Sequence, residues 1–435
     1  MSSVLIKKEI NDLLKSKTAV LFIILYSLLI SYSFYSAVDL YSKASLGAIE
    51  DAMYATGFEP VSGIFVPTFG GWFMIISLIS PFLFIQSISK EKKHNTIALL
   101  AGLPESLGKI LFIKFLSAMI FLLILLIFTL PIFLIWYITG GHIPLGEVLV
   151  LLLGHLLYAI LIISISFFCS SLFNDSTQAS IMALSLIIFS WFLDFAKDMN
   201  LSSSIDEILQ FSITKQLKYF ENGILSLQSL LYFVLLISFF YFLTYLFFNF
   251  TIRGKTKPLL IGVTALLSLF WLNSKIHYNI DISESQKNSF SQNQTKFLTK
   301  LPQIQIDIFL TPSDSRLKDY SNDFLKKLKL IKSNIKINYI LGKKLTKNYG
   351  AFKYTIGKKS EITYSNSQEE IFMVLQNISG QKIIKQKSSL DFKGYPLVAK
   401  GHWSSYLFIF YLLILPIGIL LFYLKNQLIY TRRRR

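Results

Sequence analysis

The chain has 435 residues, of which 53% are hydrophobic and 39 are Phe, with a formal net charge of +18 and one cysteine. A chain so apolar at this size is excluded as a soluble domain and reads as a polytopic membrane protein. The lone Cys169 excludes an internal disulfide and a Cys-based metal or redox centre, and because the Lys and Arg flank apolar runs or tile one long polar segment, lipid headgroups rather than nucleic acid are the expected anionic partner.

In residues 1–17, Ile6, Ile10, Leu13 and Leu14 share one face against Lys7, Lys8, Glu9, Asp12, Lys15 and Lys17. That pattern predicts an amphipathic helix on the inner surface, and its lysines place the N-terminus inside. No cleavable signal peptide is expected. A first span follows at about 18–38. Residues 39–69 carry Asp39, Glu50, Asp51 and Glu59 against Lys43 and are expected outside, with Pro60, Gly63, Pro67 and Gly70-Gly71 arguing against a continuous helix.

The second span, about 71–88, leads into a basic hinge, ISKEKKHNTIALLAGLPESLGKILFIKFL, from Ile88 to Leu116. Lys90, Lys92, Lys93 and Lys109 put it on the cytoplasmic face. Thr96, Ile97, Leu99, Leu100 and Leu103 repeat at helical spacing, so a short surface helix ending at Pro104 is expected. The third span, 110–138, contains Pro131 and should kink there. The fourth, 146–173, meets an inner turn, Asn174 to Thr177, whose Ser or Thr can cap a fifth span reaching about Ala196. An amphipathic outer segment, 198–228, precedes a sixth span ending near Phe250, and Arg253, Lys255 and Lys257 mark the inside again. A seventh span (258–273), a polar domain (274–402), an eighth span (403–424) and a basic tail (425–435) complete an arrangement with both termini inside.

In the polar domain Ile304, Ile306 and Ile308 alternate, Leu317, Tyr320, Phe324, Leu328 and Ile331 mark one helical face, and Ile335, Ile337 and Tyr339 alternate again. This predicts a strand, helix, strand unit with a parallel pair. A hairpin turning at Gly357-Lys358 and a helix opened by a Ser367…Glu370 capping box should follow.

The sequence carries no complete motif for catalysis or metal binding. Gly254-Lys255-Thr256 ends like a phosphate loop, but Asn249 stands where the first Gly is needed. The five histidines lack metal-ligand spacing; His155 is expected to be a packed, hydrogen-bonded side chain. Lys114 and Glu147 should reach water from span ends, and Asp194 could pair with Lys197.

The hinge resembles the segment between the second and third spans of type 2 ABC transporter permeases, through Lys90-Glu91-Lys92-Lys93, Thr96, Leu99-Leu100, Pro104 and Lys114, with Asn95 and Ala98 where Gly and Glu are usual. In that family the segment is the coupling helix, seated in a groove of the ATPase subunit. The resemblance implies an ATPase contact through Glu91, Thr96, Leu99, Leu100 and Pro104. Residues 1–17 are similar to the family's elbow helix, 18–250 to its six-span unit, and Phe220, Gly223-Ile224 and Ser226 to the helix before its sixth span. Asp281-Ile282-Ser283, Gln286 to Phe297 and Tyr349-Gly350 resemble the external region of gliding-motility GldG-type auxiliary proteins.

The implied fold is an α-helical polytopic membrane protein of about eight transmembrane helices with a small α/β, thioredoxin-like extracytoplasmic domain: a GldF-type permease fused to a shortened GldG-type part. The implied function is the exporter-type permease subunit of an inner-membrane ABC transporter, with no catalytic, cofactor or metal site of its own. ATP and Mg would sit on a separate ABC ATPase subunit, and a second permease copy or paralogue and membrane lipid would be the other partners. The alternative is a motility or envelope-coupling complex that transports nothing.

Overall fold

The computed structural model describes residues 2–50, 59–93, 96, 106–198, 212–249, 254–276, 278–284, 288–311, 314–332, 334–340, 348–381 and 403–432. They fall into two compact units, Met1–Ile282 with Lys393–Arg435, and Ser283–Phe392.

The first unit is helical. Among the described residues, seven helices are long and apolar enough to cross a membrane, and a shorter apolar helix, Ser176–Phe192, lies where the fifth span was expected. The protein is therefore a multi-pass membrane protein. Its first span begins after the amphipathic helix Ser2–Leu14 and runs as one helix, Lys17–Glu50. It continues past the expected end, and there Lys43 pairs with Asp39 one turn away at 2.7 Å, since residues four apart on a helix are neighbours.

The second span starts earlier than expected. Pro60 is the N-cap of a π-helical turn, Val61–Phe65, and Pro67 lies in the first turn of Val66–Leu78, where a missing N–H costs little. The Gly pair is not a breaker either. A Cβ on Gly71 would lie 2.5 Å from Ser33 Oγ and 3.1 Å from Leu29 O, so the glycine lets the first two spans approach closely, as small residues do between membrane helices.

The third span breaks between Leu107–Ile127 and Leu130–Ile138, at the kink Pro131 predicts. Two carbonyls beside the break receive tyrosine hydroxyls: Tyr26 Oη donates to Leu125 O at 3.1 Å and Tyr411 Oη to Phe128 O at 2.7 Å. The fourth span is Leu145–Leu172. After it Asp175, not Ser or Thr, caps the next helix, accepting from Thr177 N at 2.7 Å. The helices Leu227–Phe248, Thr256–Asn273 and Leu415–Arg432, the last led in by Trp403–Leu407 and a π-helical stretch, supply the remaining spans.

Sequence periodicity missed one pairing. Strand β1 (Ile224–Ser226) runs antiparallel to β2 (Asn279–Asp281), and Gly223, at φ +75°, turns the chain into β1. Three residues are too few to show alternation. Residues up to Ile282 group with the helical unit, and the compact α/β unit is Ser283–Phe392.

The second unit has the predicted order. Its sheet runs β4-β3-β5-β6, with β3 (Ile304–Ile308) parallel to β4 (Ile335–Tyr339) and antiparallel to β5 (Phe352–Ile356), which pairs with β6 (Lys359–Thr363). Ile304, Ile306, Ile308, Tyr320, Phe324 and Leu328 are buried together. Gly357 turns the hairpin at φ +60°. Ser367 caps its helix, but Glu370 binds Thr363 Oγ1 at 2.8 Å rather than closing the box. The complete capping box is Ser291 with Gln294.

A loop of this unit is held by charge. Arg316 donates to Asp314 at 3.1 and 2.8 Å and Tyr349 Oη at 2.7 Å, and these bonds, Arg316 first, hold the Asp314 carboxyl well below the usual carboxylate range. A carboxyl lowered by folding contributes stability above its unfolded value that is lost as pH falls through its folded value. The Tyr349 ring environment, followed by NMR, should therefore stay constant from neutrality to below pH ~4 and change only in stronger acid; in Asp314→Asn it should already be altered at neutral pH.

Candidate functional site

The hinge grows out of the second span through Gln86–Lys93. Its Glu91 meets Lys114 near the start of the third span, Leu107–Ile127, whose N-cap Ser106 accepts from Lys109 N, and Lys114 in turn meets Glu9 of the amphipathic helix Ser2–Leu14. Lys114 lies two turns into that span and is 2% exposed. It does not reach water, contrary to the sequence expectation, because two carboxylates reach it instead. Glu9 Oε2 is 3.0 Å from its ammonium and Glu91 Oε1 is 2.8 Å away. Both are largely covered, at 12% and 15% exposure.

One ammonium thus ties the amphipathic helix, the hinge and the third span at a single point. A buried charge needs such partners, since leaving it alone costs several kcal/mol. Burial raises the Glu91 carboxyl above its usual range, outweighing the opposite pull of Lys114, and its Oε2 has no hydrogen-bond partner.

Lys92, one residue on, anchors the hinge to the fourth span. Its ammonium donates to Ser171 O and, at 3.3 Å, to Phe173 O, the carbonyl end of a helix, which attracts cations. Burial pushes this ammonium down to about 8, with Lys255 acting in the same direction. Lys255 itself donates to Phe247 O at 3.2 Å, at the end of the sixth span.

Of the residues assigned to an ATPase contact, Glu91 turns inward to Lys114, and Thr96 is half-buried with its Oγ1 donating to Glu91 O at 3.3 Å. Leu99, Leu100 and Pro104 lie outside the described residues, as do the Asp194 and Lys197 side chains. Sequence reasoning missed Glu9 and misread Lys114. The available signal was a single lysine embedded in the run ILFIKFLSAMIF, with an amphipathic helix carrying Glu9 and Asp12 elsewhere on the same expected face of the membrane.

A second buried polar group lies at the other end of the unit. His155 is fully buried between Phe69 and Trp72, with ring centroids 5.1 and 5.7 Å away. It is packed as expected but not hydrogen-bonded: neither nitrogen has a partner, although Glu221 Oε1 stands 3.4 Å from Nε2. Glu147 is likewise 2% exposed rather than open to water. Among the described residues no group of three or more His, Cys, Asp or Glu could hold a metal ion.

The arrangement is a joint in which one ammonium and two carboxylates tie three elements of the helical unit together. No curated protein and no solved structure matches the chain. A family model described as ABC-2 family transporter protein matches residues 3–278, which takes in the amphipathic helix, the hinge and every residue of the joint. Family membership implies an ABC ATPase partner, and it fits a joint of this kind at the base of the spans: the chain belongs to the ABC-2 transporter family, as a membrane permease subunit.

Proposed function

We propose that this chain is the permease subunit of an exporter-type ABC transporter, acting as a half-transporter with a second copy or a paralogue. Two separate ATPase subunits, carrying ATP and Mg, would dock under the hinge. The observation that carries this reading is the Lys114 ammonium shared between Glu9 and Glu91. ATP-driven closure of the ATPase pair favours one arrangement of the hinge. A hinge fixed by charge to the amphipathic helix and the third span passes that bias on as a rigid-body movement.

In this proposal Thr96, Leu99, Leu100 and Pro104 meet the ATPase, and Glu91 positions them through Lys114. The first, second and fifth spans form the dimer seam, both termini are cytoplasmic, and residues 274–402 are extracytoplasmic, a GldG-type part that binds substrate or a partner. The basic inner loops support that orientation.

The test leaves the joint intact. Thr96→Arg with Leu100→Asp should reduce co-purification of the ATPase subunit from native membranes at least ~10-fold, the effect of losing a contact worth more than ~1.4 kcal/mol, with the melting temperature unchanged. Undiminished co-purification from a folded variant would overturn the assignment.

A further inference from the structure

We propose that the membrane unit holds an acyl chain of a phospholipid in a lateral groove between the first span and the last helix. The groove has a volume of about 880 Å³, within the roughly 300–1,000 Å³ of small-molecule sites. One wall is the first span from Leu28 to Tyr35, the other the last helix from Ser404 to Leu412, and no lining residue is charged.

The two walls are pinned at one end. Tyr26 and Tyr411 donate to Leu125 O and Phe128 O of the kinked third span, one helical turn apart. Leu28 and Leu412 are therefore next to this floor, while Tyr32, Tyr35, Ser404 and Ser405 lie towards the opposite end. At ~1.5 Å per residue the groove is about 10 Å long. Its polarity changes along that length: aliphatic at the floor, where the one hydroxyl, Ser31, is turned onto Leu28 O of its own helix at 3.4 Å, and hydroxyl-bearing at the far end. An amphiphile whose chain enters from the bilayer and whose glycerol or phosphate oxygens stop at the hydroxyls matches this gradient.

The walls also discriminate between occupants. Membrane helices associate closely through Gly, Ala, Ser and Thr, whereas Leu29, Tyr32, Tyr35, Phe408 and Ile409 project here, with exposures from 36% to 70%. They hold another helix backbone away but leave a channel for a flexible chain. The first wall lies within the residues matched to the family and the last helix beyond them, so the groove forms where the added helix meets the family unit and its test does not depend on the ATPase reading.

The full chain, purified in mild detergent and incubated with palmitoyl-oleoyl phosphatidylglycerol, should retain a tightly bound lipid in native mass spectrometry. Leu29→Trp and Ile409→Trp, filling the groove from either wall, should each lower the occupancy at least ~10-fold, while Leu123→Trp on another lipid-facing surface should not. Tyr32→Phe with Ser405→Ala, which removes hydroxyls without adding volume, should weaken retention severalfold and serves if the tryptophans unfold the chain. Equal lipid retention in wild type and all variants would overturn the proposal. So would efficient disulfide crosslinking of two copies through Tyr32→Cys, because the dimer seam proposed for the first span would then run through the groove rather than along another face of that helix.

Discussion

Lys114→Met is expected to destabilise the membrane unit by about 3–5 kcal/mol, the cost of removing one partner from a buried ionic cluster. Two carboxylates, at 12% and 15% exposure, would be left facing each other without the cation between them. The melting temperature in detergent should fall, and the ATPase subunit should be released with it. The triple variant Glu9→Gln, Glu91→Gln, Lys114→Met separates stability from coupling, since replacing a whole buried cluster is often neutral or stabilising. It should melt near the wild-type temperature, yet its ATPase activity in the complex should no longer respond to the permease. If Lys114→Met alone melts like wild type, the joint does not hold the three elements together.

Gly154→Ala should cost about 1–3 kcal/mol, the range for overpacking a well-packed site. The added Cβ would lie 2.4 Å from Phe220 Cβ, closer than any real contact. Gly154 is in the middle of the fourth span and Phe220 on the short helix Ile213–Glu221, so neither atom is the end of a flexible side chain that can swing away. The short helix must lift, carrying Glu221 from His155. Gly70→Ala and Gly418→Ala, whose new methyl groups meet nothing within 4 Å, should be neutral or stabilising by up to ~1 kcal/mol through helix propensity. Thermal unfolding of the three variants side by side decides the matter; equal melting temperatures would show that Phe220 yields.

Much of this architecture was legible in the sequence because the signals are local. Apolar runs the length of a bilayer, separated by lysine-rich turns, locate the spans; the alternation of Ile304, Ile306 and Ile308 and of Ile335, Ile337 and Tyr339 locates two strands. Pro60, Pro67 and Gly70-Gly71 misled because a proline at a helix start and a glycine at a helix crossing leave the same mark in a sequence as a loop. The hinge was found from its charges and its Leu-Leu-…-Pro pattern, but the direction of its key carboxylate was not, since nothing in KEKK says which side chain faces inward.

By itself, then, the sequence determined that the chain is a multi-pass membrane protein with an α/β segment, and the neighbourhood of its apolar helices though not their bounds, because hydrophobic length and helical or strand period depend on near neighbours. Only the tertiary structure decided that Lys114 is buried, that residues 105 positions apart, Glu9 and Lys114, meet at 3.0 Å, that Tyr411 reaches back 283 positions to Phe128, and that β1 finds β2. The reason is physical. A lone polar group in an apolar run carries no information about its partner until packing removes water from around it, and only then does the cost of burial select the one contact that satisfies it.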